Sequence, residues 1–365
     1  MEGGPRAVED LGLDAAAWRG KRVLVTGHTG FKGAWLSLWL EMLGANVTGL
    51  SLAPENPEGA FEALAPWTSL HSYVEDIRDA EIVATVMEEA EPEIVFHLAA
   101  QSLVRRGYSD PVSTYQTNVL GTVNLLDAIP RAPGARGVVV VTTDKVYRGD
   151  DATAPFREGD PLGGADPYSN SKVCVELIVE AWRHSFLGEG QCRVVTARAG
   201  NVIGGGDQAP DRLVPDVFRA LAAGEPVRLR HPRAVRPWQF VLEPLLGYLL
   251  LAQRLLQDGK CPSATNFGPS EESWRPVAEI VDYVLDAWGS GSWVQDERPA
   301  PRETSELRLD SSLAQRELQW RERLDLPTAL DWTIDWRRNQ VDEADMRSFS
   351  MRQVDRFQEE APRGS

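Results

Sequence analysis

The run Lys21-Arg22-Val23-Leu24-Val25-Thr26-Gly27-His28-Thr29-Gly30-Phe31-Lys32-Gly33-Ala34-Trp35 passes from β-branched apolar residues, through three glycines, into an apolar-rich stretch that continues to Leu43. That order predicts a buried strand, a tight loop and a helix. Glycines at 27, 30 and 33 permit a sharp turn and a close backbone approach, and the helix N-terminus that follows favours an anion. The first interval differs by one residue from the G-x-G-x-x-G fingerprint, but the physics is shared. The loop therefore reads as a cradle for the pyrophosphate of a dinucleotide, with Thr29 and Phe31 completing it and His28 and Lys32 adding positive charge beside the phosphate.

Outward from this loop, strands are predicted at Asn46–Leu50, Tyr73–Ile77, Ile94–His97, Gly137–Thr142 and Arg193–Ala197. Between them lie helices ending near Glu89 and spanning Pro111–Ile129 and Pro167–Phe186. Alternating strands and helices with right-handed crossovers predict an α/β protein with a Rossmann-type, doubly wound parallel sheet. After about Gly200 the pattern loosens through Gly204-Gly205-Gly206, several prolines and Trp238. Short helices fit Asp211–Ala223, Pro244–Gln257 and Val277–Trp288. The expected organisation is an N-terminal extension (1–20), a dinucleotide-binding domain (21–200, with later segments returning to it), a smaller mixed C-terminal substrate lobe (201–337) and a polar tail (338–365) read as a frayed helix or disordered segment.

The 365 residues suit two lobes around one site, and 42% hydrophobic content supports a buried core. No apolar run is long enough to span a membrane, and the first 20 residues lack a secretory pattern. Cys174, Cys192 and Cys261 are scattered, so free thiols in a reducing cytoplasm are expected, with neither disulfide nor metal site. A net charge of −16 argues against nucleic-acid or membrane-surface binding. The chain carries 33 arginines and five lysines, and three of those lysines, Lys32, Lys145 and Lys172, lie in the motifs read here. A lysine where arginine is the rule marks a task for a compact ammonium whose charge can be tuned.

The second strand runs into Gly49-Leu50-Ser51-Leu52, without the acid that usually holds a ribose. Ser51 is small and neutral there, which leaves NAD or NADP open. Asp76 and Ile77 follow the third strand, where Asp76 either contacts adenine or caps a helix. In His97-Leu98-Ala99-Ala100-Gln101, small side chains let backbone approach the cofactor, while His97 reads as structural. Asn118 lies within a helix, where it reads as a solvated or locally bonded amide, with support beneath the site as the alternative. Thr142-Thr143-Asp144-Lys145-Val146-Tyr147 places hydroxyl, carboxylate and amine at the rim of the sheet, where ligands bind; alone it reads more readily as a loop with a surface ion pair, a preference that the downstream Tyr168 and Lys172 reverse. Tyr168 and Lys172 stand one helical turn apart in Pro167-Tyr168-Ser169-Asn170-Ser171-Lys172. A tyrosine of ordinary pKa near 10 beside an ammonium and a cationic nicotinamide is expected to titrate closer to neutrality. With the glycine loop, the pair points to hydride chemistry that begins by removing an alcohol proton. The plainer alternative is a helix-surface pair.

From about residue 20 to 335 the chain resembles the extended short-chain dehydrogenase/reductase family. Within it, the 27–33 loop, Ala99–Arg106, Thr143-Asp144-Lys145, Asp166–Lys172 and Arg236-Pro237-Trp238-Gln239-Phe240-Val241-Leu242-Glu243-Pro244 are similar to the CDP-glucose 4,6-dehydratase branch. The related dTDP-glucose branch has Glu where Lys145 stands. The resemblance implies a tightly bound NAD regenerated in each cycle, with CDP-glucose as substrate and a homodimer formed through two helices of the sheet lobe. It implies that Tyr168, helped by Thr143 and Lys172, takes the C4 hydroxyl proton as hydride leaves C4. Lys145 would then remove the C5 proton, Asp144 would protonate the departing C6 hydroxyl, and hydride would return to C6. Ser102, Arg105, Asn201, Arg212 and Arg236 are candidates for the substrate, arginine forks suiting its diphosphate. Trp238 could stack on a ring or form a wall. A 4-epimerase or a UDP-glucuronate decarboxylase of the same family is the first alternative, and Asp144-Lys145 discriminates against both. A non-catalytic nucleotide-binding protein is the second, and Thr143, Tyr168 and Lys172 argue against it.

Overall fold

The computed structural model describes residues 12–149, 154–187, 192–257, 260–296, 298, 307–342 and 344–363. Among these residues the strands are β1 (Arg22–Thr26), β2 (Asn46–Ser51), β3 (Leu70–Val74), β4 (Ile94–His97), β5 (Gly137–Val141), β6 (Arg193–Ala199), β7 (Asn201–Ile203), β8 (Val227–Leu229), β9 (Val235–Phe240), β10 (Ala264–Phe267), β11 (Trp274–Pro276) and β12 (Trp293–Gln295). Seven of them form one sheet in the order β10-β6-β5-β4-β1-β2-β3. Every pairing in it is parallel. β5, Gly-Val-Val-Val-Val, is buried throughout, as a central parallel strand covered on both faces requires. The strand order reverses between β1 and β4, and the crevice at their carboxyl ends is where such sheets bind ligands.

β3 begins three residues earlier than the sequence reading placed it. The chain leaves the sheet before Asp76, whose carboxylate accepts the Arg78 N–H (2.9 Å) and pairs with its guanidinium (2.6 Å), closing a turn. The helix that follows, Ala80–Ala90, is capped by Asp79 and not by Asp76. The predicted helix from Pro111 to Ile129 contains a π-helical turn at Gln116–Leu120 between α-helical Pro111–Tyr115 and Gly121–Asp127. Such turns favour functional sites, and this one carries Asn118.

The remaining strands form a three-stranded sheet, β11-β9-β7, and a β12-β8 pair. β9 runs parallel to β7 and antiparallel to β11, so this region is mixed. The Leu242–Gln257 helix is buried along almost its whole length and packs on β5. β10 returns the chain to the edge of the large sheet beside β6.

The polar tail is not frayed. One helix continues to Val341 and another spans Met346–Glu359. Met346, Ser350, Val354 and Phe357 of the second are buried on one face. Phe357 meets Trp39 edge-on at 5.8 Å, Trp336 donates to Ser350 Oγ (2.8 Å), and Arg347 pairs with Glu41 (2.8 Å). At the other end, Trp18 is fully buried against Phe96. Residues 1–11 of the expected extension lie outside the described residues. No described helix is long and apolar enough to cross a membrane.

Candidate active site

β1 delivers the chain into a loop that only glycine can follow. Gly27 has φ 77°, and a Cβ there would lie 2.7 Å from the Ala99 nitrogen. A Cβ at Gly33 would collide with the Gly27 carbonyl oxygen. Gly30 stands at the N-cap of the Phe31–Met42 helix, and no side chain caps its first turn. Phe31, Lys32 and Gly33 of that turn line the crevice, so the cradle fits an anion such as a pyrophosphate.

The loop opens onto a cleft of about 1280 Å³ between the sheet and the smaller sheets. Gly27, Thr29, Gly30, Phe31, Lys32, Gly33, Ser51, Asp76, Ile77, Ala99, Ala100 and Gln101 line one part of it. Thr143, Asp144, Lys145, Tyr168 and Lys172 line its middle, with Ser102, Arg105, Asn201, Arg212, Arg236 and Trp238 towards the smaller lobe. Of the residues singled out in the sequence as site candidates, His28 and Asn118 do not line it.

His28 corrects the expectation of a charge beside the phosphate. Its ring is buried in a slot left by Gly49, where a Cβ would strike the imidazole. Nε2 hydrogen-bonds Ser72 Oγ (2.7 Å) and Phe61 packs edge-on at 5.3 Å. Burial pushes its pKa down to about 4, so the ring is neutral near pH 7. His97, equally buried, is pushed down to about 3 and links Thr26 to Thr122.

Asn118 acts on the cleft from behind. Its Oδ1 accepts the Gln101 N–H (2.8 Å), while Nδ2 donates to the Gln101 carbonyl (3.0 Å) and to Ser171 Oγ (2.8 Å). It thereby ties the loop after β4 to the helix bearing Tyr168. The Gln101 side chain is itself consumed by Thr114 and the Leu103 backbone, so this residue offers the cleft chiefly its backbone. Thr29 donates to the Leu52 carbonyl (2.9 Å), leaving the Ser51 hydroxyl to donate to Thr29 (2.8 Å).

Asp166 caps the Pro167–Ser185 helix through the Ser169 N–H (2.9 Å), and Pro167 sets its first turn. Tyr168, Lys172 and Glu176 follow at four-residue spacing, all buried. Lys172 Nζ donates to the Val141 carbonyl at the end of β5 (3.0 Å). Burial pushes Lys172 down to about 8, opposed by the Glu176 carboxylate. Tyr168 does not show the acidified phenol expected from the sequence. Burial pushes it up to about 12, and the nearby Asp144 charge adds to that, while a hydrogen bond from Thr143 and the Arg212 charge pull the other way. Desolvation of phenolate outweighs the cations the protein itself supplies.

Asp144 is buried. One carboxylate oxygen accepts the Thr143 hydroxyl (3.0 Å), and the other, Oδ2, has no hydrogen-bond partner among the described residues. Gly200 leaves it room, since a Cβ there would lie 2.9 Å from Oδ2. Lys145 is half-buried, and its N–H donates to Thr143 Oγ1 (3.4 Å). Lys32 reaches the same area, its Nζ 6.0 Å from the Tyr248 ring centre; burial and Arg212 push it down to about 7 against the pull of Asp144.

Across the cleft, Arg212 pairs with Asp207 (3.0 Å) and donates to Ser102 Oγ (2.9 Å). Arg105 pairs with Asp211 (2.6 Å). Arg236 is buried, its guanidinium donating to the Val235 carbonyl (2.9 Å). Trp238 is buried and donates to the Arg275 carbonyl (3.1 Å), which makes it a wall. Sequence reasoning gave no role to Asp207, to the buried Glu176 and Arg198 behind the Asp144 turn, or to Tyr147, although Tyr147 ends the run that marks that turn. Glu176 carried a signal too, its place one turn beyond Lys172.

A doubly wound sheet with a glycine cradle at its switch point, a Tyr–Lys helix and a Thr-Asp-Lys turn over one cleft defines the class. The chain belongs to the NAD dependent epimerase/dehydratase family, whose sequence profile matches residues 23–266. It is 44% identical to the CDP-glucose 4,6-dehydratase of Salmonella typhimurium over 94% of this chain and 97% of that protein. DesIV, a dTDP-glucose 4,6-dehydratase from Streptomyces venezuelae solved with NAD and TYD bound, is 26% identical and superposes with a TM-score of 0.76 over 88% of this chain and 98% of its own. The fold also matches the epimerase Mth375 of Methanothermobacter thermautotrophicus, with a TM-score of 0.81 at 23% identity over 94% and 97% of the two chains. The chain is thus a homologue of sugar-nucleotide 4,6-dehydratases along nearly its whole length.

Proposed function

We propose that this chain is a hydro-lyase that converts CDP-glucose to CDP-4-keto-6-deoxyglucose. The observation that carries this reading is the Asp144 oxygen held buried and without a partner beside Thr143, Lys145 and Tyr168. A buried carboxylate oxygen is costly to leave unpaired unless a ligand engages it. An epimerase or decarboxylase has no need of an acid at that place. The 44% identity to a CDP-glucose enzyme favours the cytidine nucleotide over thymidine.

NAD, when bound, supplies the hydride acceptor and donor, and the uncapped helix start with Gly27, Gly30 and Gly33 would hold its pyrophosphate. As phenolate, Tyr168 takes the proton of the sugar's C4 hydroxyl, with Thr143 sharing the hydrogen bond and Lys172, one helical turn away, supplying positive charge. A cation arriving in the cleft lowers the cost of phenolate in a site that otherwise resists it. Oxidation at C4 acidifies C5–H, and Lys145 Nζ accepts that proton. Asp144, protonated by the proton that left the C4 hydroxyl through Tyr168 and Thr143, gives it to the C6 oxygen, the C6–O bond breaks and water leaves. Lys145 then returns its proton to C5 as the hydride would be returned to C6. Arg212, Arg236 and Asn201 line the side of the cleft that suits the diphosphate. Arg212 would then exchange part of its pairing with Asp207 for phosphate oxygens.

The active form is a homodimer of the cytoplasm. Val112, Leu120 and Leu177 are exposed on adjoining helical segments of the sheet lobe, an apolar face that a second copy would cover. Incubation with CDP-, dTDP-, UDP- and GDP-glucose, followed by mass spectrometry, tests the reading. CDP-glucose should lose one water fastest. Isomerisation without loss of mass would replace this reading with an epimerase.

A further inference from the structure

Directly behind the Thr143-Asp144-Lys145 turn lies a buried polar network that none of the chemical steps uses. Glu176 receives four hydrogen bonds. Its Oε1 accepts Thr142 Oγ1 (2.6 Å) and Arg198 Nε (2.9 Å), and its Oε2 accepts Thr196 Oγ1 (2.8 Å) and Arg198 Nη2 (2.8 Å). Both partners of this ion pair are almost wholly buried, with side chains 4% and 5% exposed. Arg198 then donates through Nη1 to the Tyr147 hydroxyl (2.8 Å) and lies over the Tyr147 ring. Tyr147 donates onward to Asn266 Oδ1 (2.6 Å), and Asn266 is held by the Phe156 carbonyl (3.0 Å) and by Glu158 (2.8 Å).

The network grips the turn at both ends. Thr142 immediately precedes the three proton-handling residues, and Tyr147 follows them after Val146. Replacing a buried ion pair by apolar packing is often neutral or stabilising, so its presence is weak evidence for a role in stability alone. Proton transfer to a departing oxygen, by contrast, is sensitive to displacements of an ångström or less.

We propose that Glu176, Arg198 and Tyr147 are positioning residues that fix the Asp144–Lys145 turn against the Tyr168 helix, and that the elimination of water depends on them more than substrate binding or the first oxidation does. Because Glu176 stands one helical turn from Lys172, the same carboxylate references the turn and the Tyr168–Lys172 pair to a single frame. Its charge also supports the protonated form of Lys172 against burial. The inference rests on the dehydratase reading above.

The test uses Tyr147→Phe, which removes one hydroxyl and keeps the ring stack, and Thr142→Val with Thr142→Ser as its conservative counterpart. Tyr147→Phe and Thr142→Val should lower kcat for water loss by about tenfold or more while KM stays within about twofold. Reduced nicotinamide and the 4-keto-glucose nucleotide should accumulate transiently during turnover, and Thr142→Ser should restore wild-type kinetics. Variants that melt earlier but turn over normally per folded molecule would overturn the inference, as would equal slowing of oxidation and elimination. Wild-type protein that releases no water from CDP-glucose would overturn the functional reading and this inference with it. Normal wild-type turnover with unaffected variants overturns this inference alone.

Discussion

Tyr168 sits where its phenol resists ionisation, held up at about 12 by burial and by the Asp144 carboxylate. That is consistent with a base that becomes effective only once a positive charge joins it in the cleft. Tyr168→Phe deletes one hydroxyl and little volume, so the fold should persist while the first oxidation slows by about 100-fold or more. Circular dichroism and single-turnover nicotinamide absorbance would check both halves; near wild-type turnover would make the tyrosine structural. In the proposed sequence Asp144 and Lys145 act in the later steps. Asp144→Asn keeps the shape but cannot readily protonate the C6 oxygen, and Lys145→Met keeps much of the stem without the amine. Both should still oxidise C4 and then stall as the 4-ketone. In deuterium oxide the Asn variant should exchange the C5 proton, and the Met variant should not. Exchange at the wild-type rate in Lys145→Met would assign the base elsewhere.

At the scale of elements, Glu243 shows how burial couples one helix to a distant segment. It lies in the first turn of the Leu242–Gln257 helix, and its Oε1 accepts the N–H groups of Arg323 (2.9 Å) and Leu324 (2.8 Å). Burial pushes its carboxyl up to about 8, and Glu322 adds to this. A folded-state pKa above the unfolded value means that the folded chain binds the extra proton between about pH 4.5 and 8. The stability it contributes is fully present below that window and is lost as pH rises through it. Glu243→Gln mimics the protonated acid, so its Tm relative to wild type should rise from pH 5 to pH 8.5. A difference independent of pH would show that Glu243 does not titrate there.

Elements of this kind were legible in the sequence where burial left a strong pattern. The valines of β5 and the apolar helix after Gly33 could be read directly. β3 was misplaced because it is an edge strand with exposed His71, Ser72 and Val74, which leaves little apolar alternation to read. The last helix read only as a frayed helix or disordered segment because its polar residues mask a stripe at Met346, Ser350, Val354 and Phe357, spaced as one helical face. At the site, Tyr168, Lys172 and the 143–145 turn were visible because their spacing is local. The Glu176–Arg198–Tyr147 network joins residues 22 to 51 positions apart, which no local pattern reports. The His28 ring was assigned to the wrong side of its loop because the slot at Gly49 exists only once β2 is in place.

For the whole molecule, the exposed Val112, Leu120 and Leu177 predict a concentration-dependent dimer. Leu120→Arg combined with Leu177→Glu should yield a monomer by analytical ultracentrifugation, and an unchanged dimer would place the interface on another face. The central claim is that one active site oxidises C4, expels water and returns the same hydride to C6. It is tested most directly with CDP-glucose deuterated at C4, mixed with unlabelled substrate and analysed by NMR and mass spectrometry. The account predicts a product lighter by one water, with deuterium at C6 of the molecules that carried it at C4 and no crossover to the others. Deuterium retained at C4, or collected in free reduced nicotinamide, would contradict it.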